Sequence, residues 1–234
     1  MHNTILLNLA IFFSVILIVY YIWMLKTDWL AISKPAVARL QLNKFILIAI
    51  VLLFAIYIIK SIISSASYVK SSLDNKKYLV SKSNDQDRAA YILSIINDKI
   101  EIMISYLWQN IDQYPEYDPY IKQLYDRTRK LVLSENVSNK EFTSYTINKG
   151  DEMALCLRPN KENSQFYEIN LLTYVVIHEL AHIACPEEGH TKLFLKIFTF
   201  LIKNAVKLNI YVNVNYEINP KEYCGLTISE NLLD

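Results

Sequence analysis

Residues 173–184 read TYVVIHELAHIA, twelve residues without glycine or proline. Apolar positions in and next to this stretch recur every three to four residues, which predicts a helix with one buried face. These positions are Leu172, Val175, Val176, Leu180 and Ile183. The β-branched residues at 175–177 have modest helix propensity, so burial has to stabilise the helix. Pro186 and Gly189 follow, and they predict that the helix ends and the chain turns.

The predicted helix carries the motif H-E-x-x-H, formed by His178, Glu179 and His182. Residues four apart lie one turn above each other on the same helix face, so the two imidazoles can bind one metal ion. Glu179 follows the first histidine, where a carboxylate can serve as a general base. His190 can return to the metal through the predicted turn. Three histidines with one open coordination position are typical of catalytic Zn²⁺ rather than structural Zn²⁺.

Spacing alone leaves the third ligand open. Glu187 and Glu188 lie in the predicted turn, and carboxylates also serve as zinc ligands, so either could replace His190. Cys185 is a further alternative if the helix continues, although Pro186 interrupts the helix directly after it.

Residues 178–194, HELAHIACPEEGHTKLF, resemble the zincin metallopeptidases of the WLM and SprT-like group. The shared pattern is H-E-[LM]-x-H, a third histidine that opens a helix, and an aromatic residue shortly after it, here Phe194. The resemblance implies Zn²⁺ on His178, His182 and His190, Glu179 as the base, and hydrolysis of peptide bonds. Seven residues separate His182 from His190, more than in the tight WLM-type spacing. Because SprT-like members have longer gaps, the subfamily stays open.

The sequence predicts an α+β domain over residues 85–234, a zincin-like metallopeptidase domain with helices and a short, mostly antiparallel sheet. Helices are predicted over about residues 87–111, 120–133 and 191–208, and a β-hairpin over residues 141–158. The resemblance suggests that residues 151–157 hold an extended substrate by main-chain pairing. Tyr216 or Tyr223 is suggested as the group that steadies a developing oxyanion. No position is predicted for the tail after residue 208.

Two apolar runs precede this domain, at residues 5–25 and 45–63. A helix of about 20 residues spans the roughly 30 Å of a bilayer core, so residues 1–63 are predicted to form a membrane anchor of two transmembrane helices. Residues 64–84 are rich in serine and lysine and are predicted to be a linker. The expected location is a membrane, as a multi-pass protein of two spans.

Three cysteines, Cys156, Cys185 and Cys224, lie outside C-x-x-C or zinc-ribbon spacing. Reduced thiols fit a catalytic domain that faces the cytosol, with a single bridge left open as an alternative.

The formal net charge of +1 is unevenly distributed: residues 1–84 carry +7 and residues 85–234 carry −6. Binding to nucleic acid needs clustered cations that neutralise phosphates, so the acidic domain argues against nucleic acid as a partner. The expected partners are a protein or peptide substrate and the lipid bilayer.

The sequence therefore predicts a membrane-tethered zinc endopeptidase that hydrolyses peptide bonds through a zinc-bound water activated by Glu179. The alternative is a non-catalytic membrane protein whose zincin-like domain is a metal-stabilised interaction module. The intact Glu179 favours the enzyme, because a purely structural metal site has no use for this carboxylate.

Overall fold

The computed structural model describes residues 46–57, 66–136, 144–159 and 165–233. The chain divides into two compact units, Met1–Ser64 and Ser65–Asp234. The first unit contributes one described helix, α1, over residues 46–57. The second unit contains the H-E-x-x-H motif and is an α+β structure with a mixed sheet.

The structure contradicts the prediction of a transmembrane hairpin. Among the described residues, no helix is both long enough and apolar enough to cross a membrane. Helix α1 falls within the second predicted span, of which residues 46–57 are described. The first predicted span, residues 5–25, lies outside the described residues. The predicted location was that of a multi-pass membrane protein with a cytosol-facing domain. This prediction depended on the hairpin, so it is wrong as well.

A five-stranded sheet forms one layer of the second unit, in the order β1-β2-β3-β5-β4. The inner pairs β2-β3 and β3-β5 are parallel, and the outer pairs β1-β2 and β4-β5 are antiparallel. The sheet is therefore mixed rather than mostly antiparallel. The strands are β1 (Ala66–Lys70), β2 (Lys77–Ser81), β3 (Val132–Glu135), β4 (Tyr145–Ile147) and β5 (Glu152–Leu155).

Strands β1 and β2 occupy the segment that was predicted to be a linker. Tyr78 and Val80 of β2 are buried in the core, whereas Lys77 and Leu79 are more exposed, which is the pattern of a strand with one covered face. The compact unit therefore begins near residue 65 rather than at residue 85.

Four helices pack with this sheet around one hydrophobic core. Helix α2 buries an apolar stripe that includes Leu93, Ile96, Met103 and Leu107, as the sequence predicts. The predicted helix over residues 120–133 ends several residues early, since residues 132–135 form β3. The helices are α2 (Gln86–Gln109), α3 (Asp118–Thr128), α4 (Ile169–Ala184) and α5 (Lys192–Lys207).

The chain after α5 forms a short hairpin of β6 (Lys221–Tyr223) and β7 (Leu226–Ile228). A disulfide between Cys156 and Cys224 joins its turn to the chain that follows β5. Cys185 is the free cysteine and is buried. Of the two alternatives left open by the sequence, the structure thus has the single bridge.

A buried ion cluster joins the sheet to the start of α2. Arg158 and Glu135 are each 2% exposed in their side chains, with Arg158 Nε 3.0 Å from Glu135 Oε1. Arg158 Nη1 also lies 2.5 Å from Asp85 Oδ1, and the backbone N–H of Ser81 donates to Glu135 Oε2. These contacts connect β2, β3 and the start of α2. Removing one member would leave a buried charge without its partner, which is strongly destabilising.

Gly150, in the turn between β4 and β5, is the glycine with the least space. Its φ is +132°, and a Cβ built there would lie 2.8 Å from Arg127 O. We expect Gly150→Ala to lower the free energy of unfolding by about 2–4 kcal/mol, from a forbidden backbone conformation combined with a backbone clash. Urea denaturation of the full chain measures the loss.

Gly225→Ala is the matched control for this variant. Gly225 has φ +87° and nothing within 4 Å of a built Cβ, so we expect a loss of only about 1 kcal/mol from backbone strain. Equal losses in the two variants would contradict the close packing of the turn against α3.

Candidate metal centre and catalytic site

Helix α4 carries His178, Glu179 and His182, and most of its other side chains are buried. Its apolar residues pack against α5, α3 and α2 and against β4 and β5 of the sheet. This burial explains why a β-branched sequence is helical here. The helix ends at Ala184, and the next residue, Cys185, is extended with a ψ of 128°. The residue before a proline is disfavoured in the helical region, so Pro186 determines this end.

His190 returns to the helix through a turn at Gly189, which has φ +76°. The next residue, Thr191, caps α5: its Oγ1 accepts a hydrogen bond from Phe194 N at 3.2 Å. The turn and the cap together place the His190 side chain against those of His178 and His182.

The three imidazoles converge through their Nε2 atoms. These atoms are 3.1 Å apart for His178 and His182, 3.2 Å for His182 and His190, and 3.0 Å for His178 and His190. A tetrahedral zinc ion with Zn–N distances of about 2.0–2.1 Å places nitrogen ligands about 3.3 Å apart. The triad therefore fits one zinc ion, with only a small outward adjustment of the rings.

The alternative ligands are not assembled with this cluster. Within the described ranges, the group of residues able to hold a metal consists of His178, His182 and His190. Cys185 is buried, whereas Glu187 and Glu188 are exposed and stand outside the group. The geometry thus supports His190 as the third donor.

Burial controls the protonation of the first two histidines. Burial, and then the neighbouring His182 and His190, lower the pKa of His178 to about 3. Burial, and then the charges of His190 and Lys149, lower the pKa of His182 to about 4. Both rings are neutral at pH 7, so their ring nitrogens can donate lone pairs to a metal.

The ring of Phe194 packs against all three histidines of the triad. Its ring stacks on His182 at 4.2 Å between centroids, and it contacts His178 at 5.0 Å and His190 at 4.9 Å. Phe198 adds an edge contact to His178 at 5.1 Å. The side chain of Phe194 is 1% exposed, so its position is fixed by the core. One residue of α5 thereby restricts the orientation of all three imidazoles.

Glu179 is held by the sheet rather than by its own helix. Thr146 Oγ1 donates a hydrogen bond of 2.9 Å to Glu179 Oε2. The residue is 9% exposed, and burial raises the pKa of this carboxyl, while the hydrogen bond from Thr146 acts in the opposite direction. Thr146 is not among the site residues predicted from the sequence, although strand alternation places its side chain on the opposite face from those of Tyr145 and Ile147.

Of the two tyrosines suggested for oxyanion binding, Tyr223 is the one on which the charge of Glu179 acts. Its Oη is 2.6 Å from Ser144 Oγ, and burial, together with the charge of Glu179, raises its pKa. Tyr216 instead packs against Tyr174, with ring centroids 4.9 Å apart. The disulfide beside Tyr223 keeps the β6-β7 hairpin next to this part of the site.

The carboxyl end of α4 is capped by side chains of α3. Gln123 Nε2 donates to Ile183 O at 3.0 Å and to Ala184 O at 2.9 Å, and Arg127 Nη1 donates to Ile183 O at 3.1 Å. The last carbonyls of a helix lack partners within the helix, and a cation there complements the helix dipole. These contacts stabilise the end of α4 that carries His182.

Comparison with known proteins assigns the family. A model of the WLM domain matches residues 73–225, well over half of the sequence. The chain belongs to the WLM domain family. A WLM domain is consistent with a zincin-like, protease-type domain. This confirms the WLM part of the resemblance drawn from residues 178–194.

Two of the similar proteins are viral. An uncharacterized protein of Acanthamoeba polyphaga mimivirus is 50% identical over 197 residues, which cover 82% of this chain and 100% of that protein. An uncharacterized protein of Invertebrate iridescent virus 6 is 25% identical over 185 residues, covering 69% of this chain and 98% of that protein. No solved structure matches the chain.

Proposed function

We propose that this WLM protein is a zinc-dependent endopeptidase. The observation that carries the proposal is the triangle of Nε2 atoms from His178, His182 and His190, all within 3.2 Å of one another. Glu179 adjoins His178 in the sequence and is oriented by Thr146. A buried carboxylate next to three converging imidazoles is the donor set of a catalytic zinc site rather than a closed structural one.

The residues of the site have separate roles in the proposed reaction. His178, His182 and His190 would hold Zn²⁺. Phe194 restricts the orientation of all three rings, and Phe198 adds a contact to that of His178. Bound zinc supplies Lewis acidity, polarising a carbonyl and lowering the pKa of water to about 7.

Glu179 is the proton carrier of the proposal. Its Oε2 already accepts from Thr146, which leaves the other carboxylate oxygen to accept a proton and later to donate it to the leaving amine. Burial raises the pKa of this carboxyl, and a raised pKa brings a general base closer to neutral pH, where proton transfer is efficient.

Strand β4, rather than β5, is the strand proposed to hold the substrate. β5 is paired on both sides, with β3 and with β4, so residues 151–157 cannot add a further strand. β4 is at the edge of the described sheet and also carries Thr146. An extended peptide that pairs along β4 would therefore pass beside Glu179.

The direct test uses the full chain loaded with zinc and an unfolded generic protein such as casein. We expect endoproteolysis that a chelator abolishes and zinc restores. A chain that binds zinc through the triad but cleaves no protein or peptide would overturn the proposal. It would instead support the alternative, a metal-stabilised interaction module.

Thr146→Val tests the hydrogen bond to Glu179. The substitution keeps the side-chain shape but removes the donor, which we expect to lower kcat about 10- to 100-fold at pH 7. Since this hydrogen bond lowers the pKa of Glu179, its loss should move the acid limb of the pH–rate profile to higher pH. An unchanged profile with full activity would contradict this role, and Thr128→Val, in α3, is the matched control.

A further inference from the structure

A pocket of about 570 Å³ opens beside the turn that follows β4. Arg127, Arg129, Lys130 and Lys149 contribute its cations, and Asp126 and Asp151 contribute its acids. We call it the basic pocket. Asp151 already accepts a hydrogen bond from Asn148 Nδ2 at 2.9 Å, so its charge is partly satisfied within the turn. The pocket carries a positive excess in a region of the chain whose net charge is negative.

The turn holds Lys149 towards α4. Lys149 has φ +51°, a left-handed conformation that is uncommon for a residue with a side chain. Its Nζ donates to Pro186 O at 3.2 Å, just after the helix that carries the histidines. A lysine ammonium has three N–H groups, so two remain for a ligand.

The pocket is built from well-packed parts. Gly150 lies so close to Arg127 O that a Cβ would meet it at 2.8 Å. Arg127 in turn donates to Ile183 O at the end of α4. Its walls are therefore connected to the helix that carries the proposed zinc ligands.

The turn also continues directly from β4. A chain paired along β4 at Thr146 reaches Lys149 about three residues further on, or about 10 Å at 3.3 Å per residue. Only the substrate residues on one side of the scissile bond would then pass the basic pocket.

We propose that the basic pocket is a subsite for acidic residues of the substrate polypeptide. The acidic segment lies about two to four residues from the scissile bond, on the side that extends past Ile147. This inference rests on the proposed peptidase function, because it uses β4 as the substrate strand. Nucleic acid is the less suitable occupant, since residues 85–234 carry a net charge of −6 and would repel an extended phosphate backbone.

The test separates binding from cleavage. The full chain with Glu179→Gln and zinc is titrated with a labelled peptide containing five glutamates, with its glutamine counterpart, and with a short single-stranded oligonucleotide. We expect the acidic peptide to bind most tightly. Changing Arg129, Lys130 and Lys149 together to alanine should weaken its binding about tenfold, the combined effect of three partly exposed charge contacts.

The matched control changes three exposed lysines outside the pocket, Lys70, Lys203 and Lys221, to alanine. It removes the same charge and should change the affinity less than about twofold. Equal loss in both triple variants, or no loss in either, would overturn the subsite. So would an oligonucleotide that binds more tightly than the acidic peptide and loses its binding in the pocket variant.

Cleavage by the wild-type chain gives the second readout. Substrates with glutamate on one side of the scissile bond should be cleaved faster than those with glutamine, and Lys149→Ala should remove this difference between the two rates. If the wild-type chain cleaves nothing, the proposed peptidase function is rejected, and the binding titration still tests the acidic subsite independently. A preference that Lys149→Ala leaves unchanged would reject the subsite alone.

Discussion

His178→Ala is expected to abolish stoichiometric zinc binding. The Nε2 atom of His178 lies 3.1 and 3.0 Å from those of the other two histidines, so its loss removes one corner of the triangle. Loss of a group that only orients a metal ligand costs about 10- to 100-fold in affinity, and loss of a ligand should cost more than about 100-fold. Metal analysis of the purified chain should give one zinc for the wild type and almost none for the variant.

Thermal unfolding provides an independent readout of the same variant. A ligand that binds only the native state stabilises it in proportion to the logarithm of its concentration over its Kd. Added zinc should therefore raise the Tm of the wild-type chain but not that of His178→Ala. His2→Ala is the control for loss of a histidine outside the motif, and zinc should stabilise it as it does the wild type. Zinc retained at full stoichiometry in His178→Ala would contradict the triad.

Glu179→Gln should leave zinc in place and remove the proteolysis. Glutamine keeps the shape of this buried side chain and can still accept from Thr146 through its amide oxygen. It cannot take up a proton at neutral pH, and positioned general acid–base groups contribute about 10²- to 10⁴-fold to rate. We expect kcat/KM to fall by about that factor while the zinc content stays at that of the wild type.

Glu187→Gln is the matched control. Glu187 is an exposed acid of the loop between α4 and His190, and its neutralisation should leave the rate within about twofold, as for most surface changes. A Glu179→Gln variant that cleaves casein as fast as the wild type would refute the assignment of Glu179 as the base. The peptidase would then need another proton acceptor at this site.

The parts predicted correctly from sequence are those with a strong local signal. Helix α4 has a clear period and a proline at its end, and the structure begins it at Ile169 and ends it at Ala184. Thr191 begins α5 with a cap that local sequence makes recognisable. Periodicity does not place Phe194 under the imidazoles, but the resemblance to the zincin group singles out this aromatic position.

The parts predicted wrongly depend on partners distant in the sequence. The polar segment around β2 is a strand because Tyr78 and Val80 find a core to pack in and because β2 pairs with β3, more than fifty residues away. The cluster of Arg158, Glu135 and Asp85 is likewise a product of tertiary packing. Composition alone favoured a linker for such residues, since it carries no information about pairing.

The membrane prediction is wrong because it used only the hydropathy of two apolar runs, which does not by itself establish a spanning helix. The described part of the second apolar run, residues 46–57, is helical, and the first run lies outside the described residues. No helix in the described parts of the chain meets both requirements of a membrane span, length and apolar character.

X-ray absorption at the zinc edge tests the central claim most directly, because it reports the ligands of the metal itself. The zinc-loaded full chain should show three imidazole nitrogens at about 2.0–2.1 Å, no sulfur ligand at about 2.3 Å, and one further light atom. The imidazole signal should fall when His190 is changed to alanine. A spectrum with a sulfur ligand, or one that His190→Ala leaves unchanged, would contradict the three-histidine site.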